Sequence, residues 1–323
     1  MSAGSISRRI RSMLREITDR VVELDYPANY RERSIDFVAS LGGHQRDRLR
    51  QPVGNIVIRV SPGRASVSNE VEEDLAKFSD AVDGVPIVVN DELYDNIVFD
   101  YGKVFLTNER TIENLVKERE LIALYRRNEL YVALNVKLIE TELERGNLRL
   151  SELSNTLGLS RKSVESCLRG LGLINIDKAE KLVTELGPDM VRSINYETLR
   201  ELFKRKQSQV LEGGQELRKT LIYELSKTAV DFVIRGATTD VEYSLRFYVD
   251  YSRTKSVKTV KAKVANALKL AREFRAVVEV LVPDTTQLEV VKREISSELQ
   301  GDEEPYIRFS FPNQPHTFQR SSG

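Results

Sequence analysis

The chain has 323 residues, 41% of them hydrophobic and 30% charged, with 49 Lys+Arg balanced by 49 Asp+Glu. That length allows two or three domains with real cores, and the neutral balance excludes a bulk, sequence-independent coat on nucleic acid while leaving room for a local basic surface. The lone Cys excludes an intrachain disulfide, no apolar run reaches the ~18 residues of a membrane span, and MSAGSISRRIRSML lacks the apolar core of a secretory signal, so a cytoplasmic protein with no membrane partner is expected.

In chain order, Ile6, Ile10, Met13, Leu14, Ile17, Val21 and Leu24 recur at helical spacing and predict one amphipathic helix over Ile6–Leu24. Ser34–Leu41 and Gly54–Val60 read as strands, punctuated by Gly42-Gly43 and Pro62-Gly63. Val71, Leu75, Phe78 and Val82 mark a helix over Ser68–Val82, and Val85–Val89 reads as a buried strand. Ile97–Phe99 and Lys103–Leu106 follow as short strands, with Thr107 capping a helix that continues through Thr111–Glu118. Leu121–Gly172 reads as helix-rich with tight turns. Asp177–Leu186 and Glu197–Lys206 are further helices, and Gln207–Gln215, with Gly213-Gly214, reads as a linker or a helix end.

The order strand, strand, helix, strand then returns. Ala229–Ala237 matches Ser34–Gly43 through a shared Asp-Phe-Val, Phe247–Ser252 matches Ile56–Ser61, Ala267–Phe274 matches Asp74–Ala81, and Val278–Val282 matches Val85–Val89. The tail is polar apart from a short strand at Tyr306–Phe311. The expected architecture is α/β plus all-α: an α/β domain over 1–120, a helical DNA-binding domain over 121–206, a second related α/β domain over 207–300, and a tail over 301–323.

Leu150–Leu168, LSELSNTLGLSRKSVESCL, carries the spacing of a helix-turn-helix. Two short helices crossing steeply need a small residue at their contact, a Gly in the turn and an apolar residue inside the second helix. Ser154, Gly158 and Val164 fill those places; Leu153, Leu157, Leu159, Cys167 and Leu168 complete a small core. Ser151 is expected to cap the first helix, and Ser160 the second by accepting from the N–H of Lys162 or Ser163. The outward face carries Arg161, Lys162, Ser163, Glu165, Ser166 and Arg169. Arg161, Lys162 and Ser166 suit base edges in the major groove, while Ser151, the capped helix start and Arg169 suit phosphates.

Asn128–Gly170 resembles the repressor/Cro-type helix-turn-helix. The wider stretch Tyr30–Leu202 resembles the archaeal HTH-type transcriptional regulators through SIDFV, GNIVIRVS, VPIVVNDE, IVFDYGKVFLTNERTIENLV, NELYVALN and the helix pair. It departs after Ser166, where CLRGLGLINIDKA replaces the usual aromatic-acidic ending, and at Ser154, where Ala is usual. The resemblance implies an α/β domain preceding a repressor-type module, and a role in transcription.

The α/β units also resemble the restriction-endonuclease-like fold. There a strand bearing Asp precedes a strand bearing an acidic-x-Lys triplet; two carboxylates hold Mg²⁺ and the Lys positions the attacking water. Asp36 and Asp231 fill the first slot, but the second strands offer Val57-Ile58-Arg59 and Tyr248-Val249-Asp250, with Glu242 the one further carboxylate in the second unit. The expectation is therefore a scaffold and not an enzyme. The alternatives are a Mg-dependent structure-specific nuclease or resolvase-like enzyme, and an interaction scaffold that does not bind DNA.

No cofactor or metal is expected: His44, His316 and Cys167 make no zinc set, and Cys167 falls on an inner helix face as a structural thiol. Lys255, Lys258, Lys261 and Lys263 form a candidate auxiliary phosphate surface. The expected partners are double-stranded DNA, the transcription machinery and a second copy of the chain, since two-fold dimers read half-sites ~34–36 Å apart.

Overall fold

A computed structural model describes residues 3–18, 20–41, 54–61, 67–210, 221–237, 243–254, 256–296 and 306–311. In chain order its elements are α1 (Ala3–Ile17), β1 (Arg20–Glu23), β2 (Phe37–Leu41), β3 (Gly54–Val60), α2 (Asn69–Ala81), β4 (Gly84–Val89), β5 (Ile97–Tyr101), β6 (Val104–Thr107), α3 (Glu109–Lys117), β7 (Ala123–Arg126) and β8 (Glu129–Leu134). There follow α4 (Val136–Glu144), α5 (Leu150–Leu157), α6 (Arg161–Arg169), β9 (Leu173–Asn175), α7 (Ile176–Leu186), β10 (Val191–Arg192) and α8 (Tyr196–Val210). The last are β11 (Leu221–Glu224), β12 (Phe232–Ala237), β13 (Tyr243–Asp250), α9 (Tyr251–Thr254), α10 (Val257–Phe274), β14 (Val277–Leu281), α11 (Thr285–Ser296) and β15 (Ile307–Ser310). Among the described residues no helix is long and apolar enough to cross a membrane. His44, His316, Glu242, Lys255 and the glycine pairs at 42–43 and 213–214 lie outside the described residues.

Several elements differ from their sequence prediction. The helix predicted over Ile6–Leu24 ends at Ile17, and Arg20–Glu23 is a strand paired with β2; the strand's alternation buries Val22 and Leu24 and leaves Val21, which helical spacing places inward, half-buried. Leu121–Leu134 is a hairpin, not helix. Asn108, not Thr107, caps α3, its side chain accepting from the Thr111 N–H at 2.8 Å. The stretch from Gln207, read as a linker or a helix end, is the end of a helix as far as Val210.

The chain folds as two compact units, each discontinuous in sequence: Met1–Ile17, Val60–Ala65 and Val85–Glu212 form one, and Thr18–Arg59, Ser66–Gly84 and Gly213–Gly323 the other. Their limits fall elsewhere than the sequence-read boundaries at 120, 206 and 300. In the first unit β4 pairs parallel with β6, β6 antiparallel with β5, β5 parallel with β7, and β7 antiparallel with β8. β9 and β10 both join β8 antiparallel. A satellite core grows off this sheet: Val132 and Leu134 of β8 and Ile174 of β9 pack with Ile139, Leu148, Leu153, Leu157, Val164, Ala179 and Leu182 from α4 to α7.

The second unit contains the repeat. β1–β2–β3 and β11–β12–β13 are both antiparallel, and β14 and β15 extend the latter in parallel. Leu24 and Leu225 each donate a backbone N–H to the Asp that opens the next strand, Asp36 and Asp231, at 2.9 Å. Those Asp residues donate in turn to Ile58 O and Tyr248 O at 2.8 Å. Ile58 therefore corresponds to Tyr248, one residue off the match read from sequence. A one-residue slip exchanges the two faces of a strand, and a run buried on both faces leaves no mark of it.

The two halves grip each other through their helices. Asp74 on α2 accepts from the N–H groups of Ser226 (3.0 Å) and Lys227 (2.7 Å), just after β11, and from the Ser34 hydroxyl at 3.0 Å. Asn266 on α10 accepts from Asp25 N–H at 2.8 Å, at the corresponding place after β1. Phe247 of β13 stacks on Phe78 of α2 and tilts against Phe274 of α10. Asp74 is buried, so its removal strands the buried Ser34 hydroxyl at ~1–3 kcal/mol and takes the acceptor from the amides of exposed Ser226 and half-buried Lys227. Asp74→Ala should lower the unfolding free energy by roughly 3 kcal/mol in urea titrations; a change below about 0.5 kcal/mol would show that water already serves those donors.

Candidate nucleic-acid interface and the paired carboxylates

α5 and α6 meet through a turn that the sequence specifies atom by atom. Gly158 ends α5 at φ 58°, ψ 38°, a left-handed conformation that costs a residue with a Cβ roughly 1–2 kcal/mol. Its N–H donates to Asn155 O and the Leu159 N–H to Ser154 O, both at 3.0 Å, using two carbonyls the helix end leaves open. The Ser154 hydroxyl donates to the Leu159 carbonyl, so Ser at the small contact position also closes the turn. Ser160 then caps α6, its hydroxyl accepting from the Ser163 N–H at 3.1 Å. The predicted cap at Ser151 is corrected: Arg149 stands at the cap position of α5 and makes no side-chain cap bond, because the helix already begins at Leu150.

Leu153, Ser154, Leu157 and Val164 are buried, while Cys167 and Leu168 are half-buried against the same core. Val164 is the one fully buried residue of α6. Arg161, Lys162, Ser163, Glu165, Ser166 and Arg169 are exposed, and Ser151 is half-buried. Two of the exposed groups are already engaged: the Ser163 hydroxyl lies 2.8 Å from that of Ser160, and Arg169 pairs with Glu165 at 3.3 Å. Burial raises the Cys167 thiol pKa above its ordinary value, and its sulfur donates to Leu173 O at 3.5 Å. Thr156 hydrogen-bonds Glu185, tying α5 to α7.

In the second unit each opening Asp is held by a cation. Asp36 accepts from Arg59 at 2.7 Å and Arg33 at 3.2 Å, and Arg59 also donates to Tyr30 O. Asp231 accepts from Lys263 of α10 at 2.5 Å and from Asp250 N–H at 2.8 Å, with the Tyr26 ring 5.5 Å from the Lys263 nitrogen. Burial and the Asp231 charge raise the Tyr26 pKa. This corrects the placing of Lys263 in a phosphate surface: it is buried in the apolar stripe of α10, between Val260 and Val264. That stripe was the available signal, since a Lys within an i, i+4 apolar pair faces inward. Lys258 remains exposed and Lys261 is half-buried.

A divalent cation, which this kind of α/β fold implies, wants several carboxylate oxygens with free lone pairs. Arg33 and Arg59 occupy both oxygens of Asp36, and Lys263 and an amide occupy both of Asp231. Among the described residues no group of three or more His, Cys, Asp or Glu is placed to hold a metal. As arranged, these donors do not fit the cation.

Residues 5–122 match the PD-(D/E)XK superfamily domain. Relatives over the shared region include a "Putative HTH-type transcriptional regulatory protein" of Sulfolobus acidocaldarius, 27% identical over 61% of this chain and 62% of its own, and one of Aeropyrum pernix, 30% identical over 58% and 56%. A third, of Saccharolobus solfataricus, is 20% identical over 85% of this chain and 90% of its own. The chain thus spans less than two thirds of the length of the first two. No solved structure matches. The relatives bear the names that the sequence resemblance implied, and the PD-(D/E)XK match bears out the restriction-endonuclease-like character of the N-terminal region. It also overturns the expectation that the chain is not an enzyme, because that domain is typically a nuclease fold and points toward catalysis.

Two outcomes follow for α5 and α6. Gly158→Ala meets no atom within 4 Å, so its cost is purely conformational, about 1–2 kcal/mol by thermal unfolding; a neutral result would contradict the left-handed turn. Cys167, its pKa raised, stays protonated at neutral pH, so it should alkylate more slowly than an exposed cysteine at pH 7 and gain rate only above the usual thiol range.

Proposed function

We propose that the chain is a double-stranded DNA-binding transcriptional regulator that reads the major groove with α6, α5 and α6 forming a repressor-type helix-turn-helix within a DNA-binding domain over 121–206. One observation carries this reading: α6 turns only Val164 fully inward and leaves Arg161, Lys162, Ser163, Ser166 and Arg169 exposed, on a helix capped by Ser160. A helix with one buried anchor and a polar, basic remainder is shaped to lie in a groove. Arg161 and Lys162, in its first turn, suit guanine edges, and Ser166 accommodates several bases. Ser151, Ser163 with Ser160 at the helix start, and Arg169 suit phosphates, which fix register without reading sequence. The chain's neutral charge matches a protein whose DNA affinity is local to one surface. A two-fold dimer would set two such helices on half-sites ~34–36 Å apart, and the transcription machinery is the partner such a regulator addresses.

The PD-(D/E)XK match supports a second reading, in which the chain acts on the DNA it binds. Selection of genomic duplex fragments by the full chain separates the two. A regulator enriches particular fragments, and Arg161→Ala relaxes that choice by ~1–3 kcal/mol at one base position. Incubation of the same fragments, and of branched DNA, with Mg²⁺ tests cutting; cleavage lost in Asp36→Ala would establish the second reading. Binding of every duplex alike by the wild-type chain would refute sequence-specific reading.

A further inference from the structure

The hairpin β7–β8 is mounted on the same core as α6. β9 leaves the C-terminal end of α6 after the turn Gly170–Gly172 and runs antiparallel to β8, with Leu173 opposite Ala133 and Asn175 opposite Tyr131. Val132 and Leu134 of β8 and Ile174 of β9 share one buried cluster with Leu153, Leu157 and Val164. The hairpin therefore cannot swing independently of α6. Followed from Ala133 toward its tip, β8 places Arg127 about 20 Å beyond the level where β9 begins, at ~3.3 Å per residue.

The tip is built to present a charge. Arg127 and Asn128 both take positive φ, 53° and 65°, the tight two-residue turn of a twisted hairpin, and both are exposed. The neighbouring cation is spent: Arg126 pairs with half-buried Asp100 at 3.0 Å, and Lys206 of α8 holds the other oxygen of that carboxylate. Glu129, two residues along the chain, is engaged by the Tyr131 hydroxyl at 2.7 Å, with Lys178 close enough to lower its pKa further. Bulky Arg in a turn that favours Asn or Gly is an unfavourable choice for the hairpin alone. A role for its guanidinium outside the fold accounts for it.

We infer that Arg127 is a second DNA contact, bonding a backbone phosphate beside the groove that α6 enters. This rests on the DNA-binding reading of α6. A duplex carries one negative charge per ~1.7 Å, so an exposed guanidinium at the hairpin tip, about 20 Å along β8 from the level where β9 begins, meets phosphate without base preference. Such a contact fixes the angle of the helix in the groove, which base contacts alone do not.

The test uses the full chain, a labelled duplex of random sequence, and duplex fragments selected from genomic DNA, across a series of salt concentrations. Arg127→Asn removes the charge yet suits the left-handed turn, and Arg127→Lys keeps the charge. Arg127→Asn should weaken binding to every duplex by a similar factor and lower the salt slope by about one, leaving fragment choice unchanged, while Arg127→Lys restores most of the slope. Thermal unfolding of Arg127→Asn equal to or above wild type keeps folding out of the comparison. Unchanged affinity and slope in Arg127→Asn, with Arg161→Ala still altering fragment choice, would overturn this inference alone. A wild-type chain that binds no duplex would overturn both.

Discussion

Everything proposed for the helical stretch depends on how one helix of nine residues is held. α6 makes too little contact to fold alone, and short isolated helices are marginal in water. Its position comes from Val164, sunk among Leu153, Leu157 and Ile174, and from the turn before it, where Gly158 supplies the left-handed residue and Ser154 and Ser160 close the open backbone groups. With its orientation fixed from beneath and from one end, Arg161, Lys162 and Ser166 on its outer face are exposed. That is why a row of Arg, Lys and Ser is tolerated there, and why the same row is available to a ligand.

The second unit obeys a different constraint. Two halves with the same strand register are locked by an exchange of helix contacts, Asp74 to the loop after β11 and Asn266 to the loop after β1. Each half keeps a buried Asp where its second strand begins, and each answers the cost of burying that charge with a cation, but by different routes: Arg59 from the adjacent strand, Lys263 from the helix. Burying a carboxylate without a partner is expensive, and a pair breaks even only when its remaining lone pairs are served. Both are, by Arg33 and by the Asp250 amide. The superfamily match over residues 5–122 and the Asp36 donor set pull in different directions: that domain is typically a nuclease fold, while both oxygens of Asp36 are held by arginines.

How much of this was legible depends on range. The turn between α5 and α6, the cap at Ser160 and the inward places of Leu153, Leu157 and Val164 are local, and residue types at fixed offsets specify them. The repeat was visible through Asp-Phe-Val, yet its register was not, since one-residue slips in buried strands leave composition unchanged. The joining of the two halves within the second unit rests on contacts between distant segments that no window of sequence contains, such as Tyr223 with Asp80. Lys263 belongs to a run of lysines in sequence but to the apolar stripe of α10 in the fold, and charge composition alone does not separate the two. The hairpin at Leu121–Leu134 was missed because its turn, Arg127-Asn128, lacks the Gly that usually marks one.

The central claim is that α6 lies against DNA. Amide hydrogen exchange of the full chain, with and without duplex fragments it retains from genomic DNA, addresses it directly. Slowed exchange in the first turn of α6, from Arg161 through Val164, on adding duplex is the predicted result. Retained duplex that leaves α6 exchanging at its free rate, with protection confined to other elements, would contradict the account.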